Sequence, residues 1–105
     1  MTKDKWTEIY HIFEGALNDF QMAYPTFKNG KNQKIRDTAE RKVDNSIQMV
    51  STWMEIHPEL MEVFAGKDAR MIDKAFAYDE FLKPRYFQND MPKYLEKIKQ
   101  HIDSL

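Results

Sequence analysis

Between residues 33 and 57, apolar and small side chains recur every three or four residues. This spacing puts them on one face of an α-helix, where they can pack into a core. The positions are Ile35, Ala39, Val43, Ser46, Ile47, Val50, Trp53, Met54 and His57. A helix of this length spans roughly 35 Å, so we expect every other helix to pack along it. Met49 and Ile56 widen its apolar face, and we expect its second half to be covered on more than one side.

Proline and capping residues set the expected limits of a first helix. An apolar stripe predicts this helix over residues 3–24, with Thr2 or Asp4 as its N-cap. Pro25 should end it, because the residue before a proline avoids the helical conformation. The stretch 25–33 contains Asn-Gly and further turn residues, and we expect it to form a loop.

Three shorter helices are expected in the second half of the chain. They are residues 58–65, residues 69–83 with Asp68 as the N-cap, and a helix that Asp90 caps and that carries Pro92 in its first turn. Gly66 should end the first of these helices and Pro84 the second, which leaves residues 85–89 as a connector. No stretch alternates like a β-strand. The predicted fold is therefore all-α, a single compact antiparallel bundle of about five helices, two long and three shorter, with residues 1–105 as one domain.

Composition narrows the class of protein. The chain has 42% hydrophobic residues, no cysteine and a formal net charge of −1. The lack of cysteine excludes disulfides and thiolate metal sites and fits a reducing compartment, so we expect a cytoplasmic protein. No apolar run approaches the length of a membrane span, and the N-terminus lacks a signal peptide's apolar region, so no membrane association is expected.

No pattern typical of a catalytic or metal site is found. The chain lacks the serine-hydrolase, phosphate-loop and zinc-protease motifs. Glu8 and His11 have the Glu-x-x-His spacing of di-iron bundles, but no second copy exists and both should face water. Three histidines, which include His57 and His101, fall on different predicted helices without a spacing that selects a metal. We therefore expect a protein that is not an enzyme and has no cofactor or metal.

Protein binding is the expected function, and two surfaces are predicted to carry it. The first is an aromatic segment around a proline, in which the predicted contact residues are Phe81, Arg85, Tyr86 and Phe87. Tyrosine and arginine dominate interface hot spots because they combine contact area with directed polar groups. The second is an acidic face of Glu55, Glu59 and Glu62. The alternative for the aromatic segment is that the last helix covers its rings and makes them core.

The partner is expected to be another protein or a second copy of the chain. Lysine outnumbers arginine, and short Lys-rich chains without cysteine are common among regulators from phages and mobile elements. A regulator, adaptor or inhibitor that binds a partner protein would fit this composition.

Binding to DNA is the alternative function. Residues 28–42 hold six basic residues against two acids, whereas residues 43–66 hold four acids and no Lys or Arg. The basic residues are Lys28, Lys31, Lys34, Arg36, Arg41 and Lys42, which could contact phosphates. Residues 58–77 can be aligned with a helix-turn-helix. Glu62 and Lys67 fit that motif poorly, and its second helix is not net basic, so the motif would be degenerate.

Overall fold

The computed structural model describes residues 1–66, 70, 79 and 82–105. Four helices lie in the described part of the chain: α1 (Lys3–Asn29), α2 (Gln33–Ile56), α3 (Glu59–Ala65) and α4 (Pro84–Asp103). All-α architecture is thereby confirmed. The predicted helix over 69–83 falls largely on residues outside the described ones, so the count of five helices stays a prediction.

The first helix begins where the sequence predicts and ends later. The hydroxyl oxygen of Thr2 accepts a hydrogen bond from the Lys5 amide at 3.2 Å, which caps α1. The predicted end before Pro25 is wrong, because α1 continues through this proline to Asn29. Pro25 cannot donate a helix hydrogen bond. The rings of Tyr24 and Phe27, stacked at 6.1 Å, keep the helix in contact with the core on both sides of the proline.

A three-residue turn, rather than the predicted loop 25–33, reverses the chain between α1 and α2. The Gly30 amide donates to the carbonyl oxygen of Thr26 at 2.8 Å and ends α1. The side-chain oxygen of Asn32 accepts from the Ile35 amide at 3.0 Å and starts α2. Arg36 reaches back and donates to the Gly30 carbonyl oxygen at 2.8 Å. The turn is therefore held from both helices, which run antiparallel.

The second helix follows its predicted range closely, from Gln33 to Ile56 with His57 as its C-cap. Its predicted inner face is buried at Ala39, Val43, Ser46, Ile47, Val50 and Met54. The expected cover on a second side is wrong, since Met49 is 49% and Ile56 62% exposed. A stripe wider than one neighbouring helix can cover leaves its margins in water.

The third helix is confirmed, with its predicted stop at Gly66. This glycine has a φ of 96°, a left-handed conformation that other residues rarely adopt. Lys97 in α4 donates to the Phe64 carbonyl oxygen at 3.0 Å, so a side chain from α4 satisfies the C-terminal end of α3. The rings of Phe64 and Tyr94 lie 4.2 Å apart and pack α3 against α4.

The last helix begins earlier than predicted. The sequence predicts a connector over 85–89 and a start at Asp90, but α4 begins at Pro84. Proline is favoured at this first helical position, where its missing N–H costs nothing. Phe87 and Met91, one turn apart, are both fully buried, so the apolar stripe extends one turn towards the N-terminus.

The core lies along α1, which packs extensively against both α2 and α4, whereas α2 and α4 barely touch. The expectation that every helix packs along α2 is therefore wrong. Large side chains of α1 fill the centre: Trp6, Ile9, Phe13, Leu17 and Phe20. Fully burying one such side chain is worth about 1.5–3 kcal/mol. Helix α4 packs against only one side of α1. The α1–α2 hairpin therefore has another face that α4 does not cover.

Candidate protein-binding groove

A long groove runs between α1 and α2, and its volume is about 1170 Å³. Residues of α1 form one wall: His11, Ile12, Gly15, Ala16, Asp19, Met22, Ala23 and Thr26. Residues of α2 form the other wall: Lys34, Ile35, Thr38, Ala39, Lys42, Asn45, Ser46 and Met49. Each wall covers slightly more than four helical turns. We call this feature the α1–α2 groove.

The floor of the α1–α2 groove consists of small side chains. Ala16, Ala23, Ala39 and Ser46 are each at most 6% exposed and lie where the two helices meet. A methyl group added to Gly15 would meet nothing within 4 Å, so the space above this residue is open. Small residues at a helix–helix seam allow a further backbone to approach closely.

Three large apolar side chains stand at the rim of the groove. Met22 is 81%, Ile35 41% and Met49 49% exposed. The other exposed large apolar residues of the described chain, such as Met1 and Leu105, lie outside this groove. Single exposed apolar residues are ordinary, whereas several around one concave surface make that surface a candidate binding site.

The two walls carry opposite charges. Asp19 belongs to the α1 wall, whereas Lys34 and Lys42 belong to the α2 wall. Within the described residues, none of these three side chains forms an ion pair. His11, also on the α1 wall, lies 3.9 Å from Glu14. A ligand in the groove would therefore meet a carboxylate on one side and ammonium groups on the other.

The predicted aromatic contact patch is only partly at the surface. Phe87 is fully buried and lies 4.7 Å from the ring of Phe20, so its predicted role as a contact residue is wrong. Tyr86 is 39% exposed, with the Lys83 ammonium 5.8 Å from its ring centre. Arg85 is exposed, and Phe81 lies outside the described residues.

The predicted acidic surface lies at the corner between α2 and α3. Glu55, Glu59 and Glu62 are all exposed. A carboxylate oxygen of Glu59 lies 3.8 Å from Nδ1 of His57, whose ring stacks on Trp53 at 5.7 Å. This face stays a prediction for a second contact surface.

The basic segment is divided among different surroundings. The Lys28 ammonium lies 5.6 Å from the ring centres of both Tyr24 and Phe27, and Arg36 is held by the turn. Lys34 and Lys42 line the groove, whereas Lys31 and Arg41 are exposed outside it. Most of the predicted second helix of the helix-turn-helix over 58–77 lies outside the described residues.

Among the described residues, no three His, Asp or Glu side chains come together in a way that could hold a metal ion. Glu8 and His11 are exposed, as predicted from their position off the apolar stripe. His57 stacks on Trp53, and His101 lies 4.5 Å from the ring of Trp6. The three histidines thus have different neighbours.

Sequence reasoning did not identify the α1–α2 groove, although the chain carries a signal for it. Small residues recur seven positions apart on both helices, at Ala16 and Ala23 and again at Ala39 and Ser46. Such spacing marks a narrow seam on a helix. The exposed methionines Met22 and Met49 can be assigned to the same surface only when α1 and α2 are known to lie side by side.

Comparisons with protein-family models, with curated proteins and with solved structures found no match to this chain. Among the helices in the described part, none is both long enough and apolar enough to cross a membrane.

Proposed function

We propose that this chain is a non-enzymatic protein that binds a protein helix in the α1–α2 groove and acts as a regulator, adaptor or inhibitor. One observation carries the proposal: Met22, Ile35 and Met49 are exposed around a floor of small residues. An amphipathic helix lying in a groove is a common mode of protein recognition, because its apolar face replaces water over a continuous surface.

The shape of the groove supports a helix as the ligand. A helix packs into the furrow between two others at an axial distance of about 8–10 Å when small residues lie at the contact. Ala16, Ala23 and Ala39 supply such residues. Methionines at the rim add adaptable contact area, since the unbranched thioether fits irregular surfaces.

Photo-crosslinking tests this proposal. A benzophenone amino acid at Met22 should yield adducts with a protein partner in cells that carry the chain, because this side chain stands at the rim. The matched control has the same group at Glu96, which is exposed on α4. Adding Met49→Arg should abolish adducts at position 22 and leave those at position 96 unchanged. Equal adducts at both positions, or none at position 22, would contradict the proposal.

Binding to DNA is the second candidate function. The observation that favours it is the exposure of Lys28 and Lys31 at the turn end of the α1–α2 hairpin and of Arg41 further along α2, where they could contact phosphates. Arg36 supports it less, because its guanidinium is already engaged by the Gly30 carbonyl oxygen and the Gln33 side chain.

A further inference from the structure

We propose that the ligand of the α1–α2 groove is a second copy of this chain, so that two hairpins form a four-helix bundle around a two-fold axis. The inference rests on the proposed function, since it names the partner of the same groove.

Charge is the first argument for a second copy. The chain reverses at a turn centred on Lys31, with Asp19 twelve residues before it and Lys42 eleven residues after it. In an antiparallel hairpin these two residues therefore lie at about the same height. A two-fold axis parallel to the helices lays α1 over α2 of the second copy at equal heights. Asp19 of each copy then faces Lys42 of the other.

The charge pattern also selects this arrangement over another. A two-fold axis perpendicular to the helices would lay α1 over α1. The α1 wall extends from His11 to Thr26, and Asp19 lies near its middle. In that arrangement the two Asp19 carboxylates would meet, and so would the two Lys42 ammonium groups on the other side. Like charges across an interface are unfavourable, so the parallel axis is preferred.

Shape agrees with charge. Counted in the same way from Lys31, Met22 is at about the height of Ala39 in the second copy, and Met49 lies at a height between those of Ile12 and Gly15. Met22 therefore faces a small residue, and the open space above Gly15 lies within one helical turn of Met49. Large side chains inserted between small ones are the packing mode of helical bundles.

The area is sufficient for a dimer of moderate stability. The walls are about 24 Å long, and two adjacent helices are about 20 Å wide, which gives about 500 Å² per copy. The total of about 1,000 Å² is at the lower limit for a specific interface. Interfaces of this size are typical of weak, transient complexes, so we expect a dimer that forms reversibly at micromolar concentrations.

Sedimentation equilibrium of the purified chain up to about 200 μM tests the inference, and the wild type should approach the dimer mass. Asp19→Lys and Lys42→Glu should each weaken the dimer at least about tenfold, because each repulsive contact occurs twice. Both positions are exposed, so folding is retained and can be checked by circular dichroism. Lys99→Glu, the same charge change as Lys42→Glu but at an exposed site of α4, should leave the dimer unchanged.

Mixing the two single variants is the decisive step. A heterodimer of Asp19→Lys with Lys42→Glu pairs opposite charges at both contacts, so the mixture should regain wild-type affinity, as should the double variant. Affinity that returns only when the two variants are mixed must come from contacts between two different chains. A wild-type monomer at about 200 μM, a dimer insensitive to both reversals, or a mixture without rescue would overturn the inference. If the dimer inference fails but position 22 still crosslinks to a different protein, the proposed function stands without a dimer.

Discussion

Gly30 lies in the turn between α1 and α2, where the backbone leaves no room for a side chain. A methyl group there would lie 2.6 Å from the Thr26 carbonyl oxygen and 2.9 Å from a carbon of Arg36. Because a backbone carbonyl cannot move aside cheaply, Gly30→Ala should destabilise the protein by about 1–3 kcal/mol. Urea denaturation would measure this change.

Gly15→Ala is the matched control for that substitution. Gly15 lies in the interior of α1, and its added methyl group would meet nothing within 4 Å. Alanine in a helix interior is favoured over glycine by about 0.5–1 kcal/mol, so this variant should be more stable than the wild type. Similar effects of the two substitutions would show that the turn is not as tight as described.

Phe87 and Tyr86 are neighbours with opposite environments. Phe87 is fully buried, whereas Tyr86 is 39% exposed. Phe87→Ala should therefore lower the free energy of unfolding by about 3–5 kcal/mol, through lost burial and a cavity beside Phe20. Tyr86→Ala should cost less than about 1 kcal/mol. Equal losses in denaturant titrations would mean that both rings belong to the core.

At the scale of the helix, Pro25 weakens α1 from within. It removes one backbone hydrogen bond, a defect that costs about 3 kcal/mol in an ideal helix. Pro25→Ala should raise the free energy of unfolding by about 1–3 kcal/mol, with part of the gain lost because alanine frees the unfolded chain. Pro84→Ala, at the first position of α4, should change stability by under about 1 kcal/mol. Thermal melts of the two variants would distinguish these positions.

Periodicity predicted the existence of these helices better than proline predicted their ends. The stripe of α2 and the stop at Gly66 follow from local rules, and both agree with the structure. The limits at Pro25 and Asp90 were wrong because packing outweighed the local preference. Phe27 keeps α1 in place beyond Pro25, and Phe87 draws the start of α4 to Pro84. A sequence rule for helix ends cannot include contacts with residues far along the chain.

At the scale of the molecule, the sequence could not indicate that α1, rather than α2, is the central helix. Both carry apolar stripes, and which of them has two neighbours depends on where α4 returns. The α1–α2 groove was not predicted for the same reason. Its walls are the flanks of two separate stripes, and residues such as Met22 and Ile35 become one surface only when the helices lie side by side.

Whole-molecule charge leads to a prediction about DNA. The net charge is −1, Arg36 is engaged at the turn, and Lys34 and Lys42 face the groove. We therefore expect no measurable binding to a labelled random-sequence duplex even at about 50 mM salt, where non-specific binding is far stronger than at about 200 mM. Fluorescence anisotropy of the labelled duplex would measure any binding. Binding that is lost near 200 mM salt would favour the DNA-binding alternative, and Lys28→Glu with Lys31→Glu should then weaken it.

The exposed methionines of the groove have a chemical consequence. Oxidation converts a methionine thioether into a polar sulfoxide and follows access to solvent. Met22 and Met49 are 81% and 49% exposed, whereas Met54 and Met91 are at most 3% exposed. Mild peroxide should therefore modify the groove before the core, as peptide mapping by mass spectrometry would reveal. An oxidant should therefore make this surface polar and disable the proposed binding while the helices stay folded.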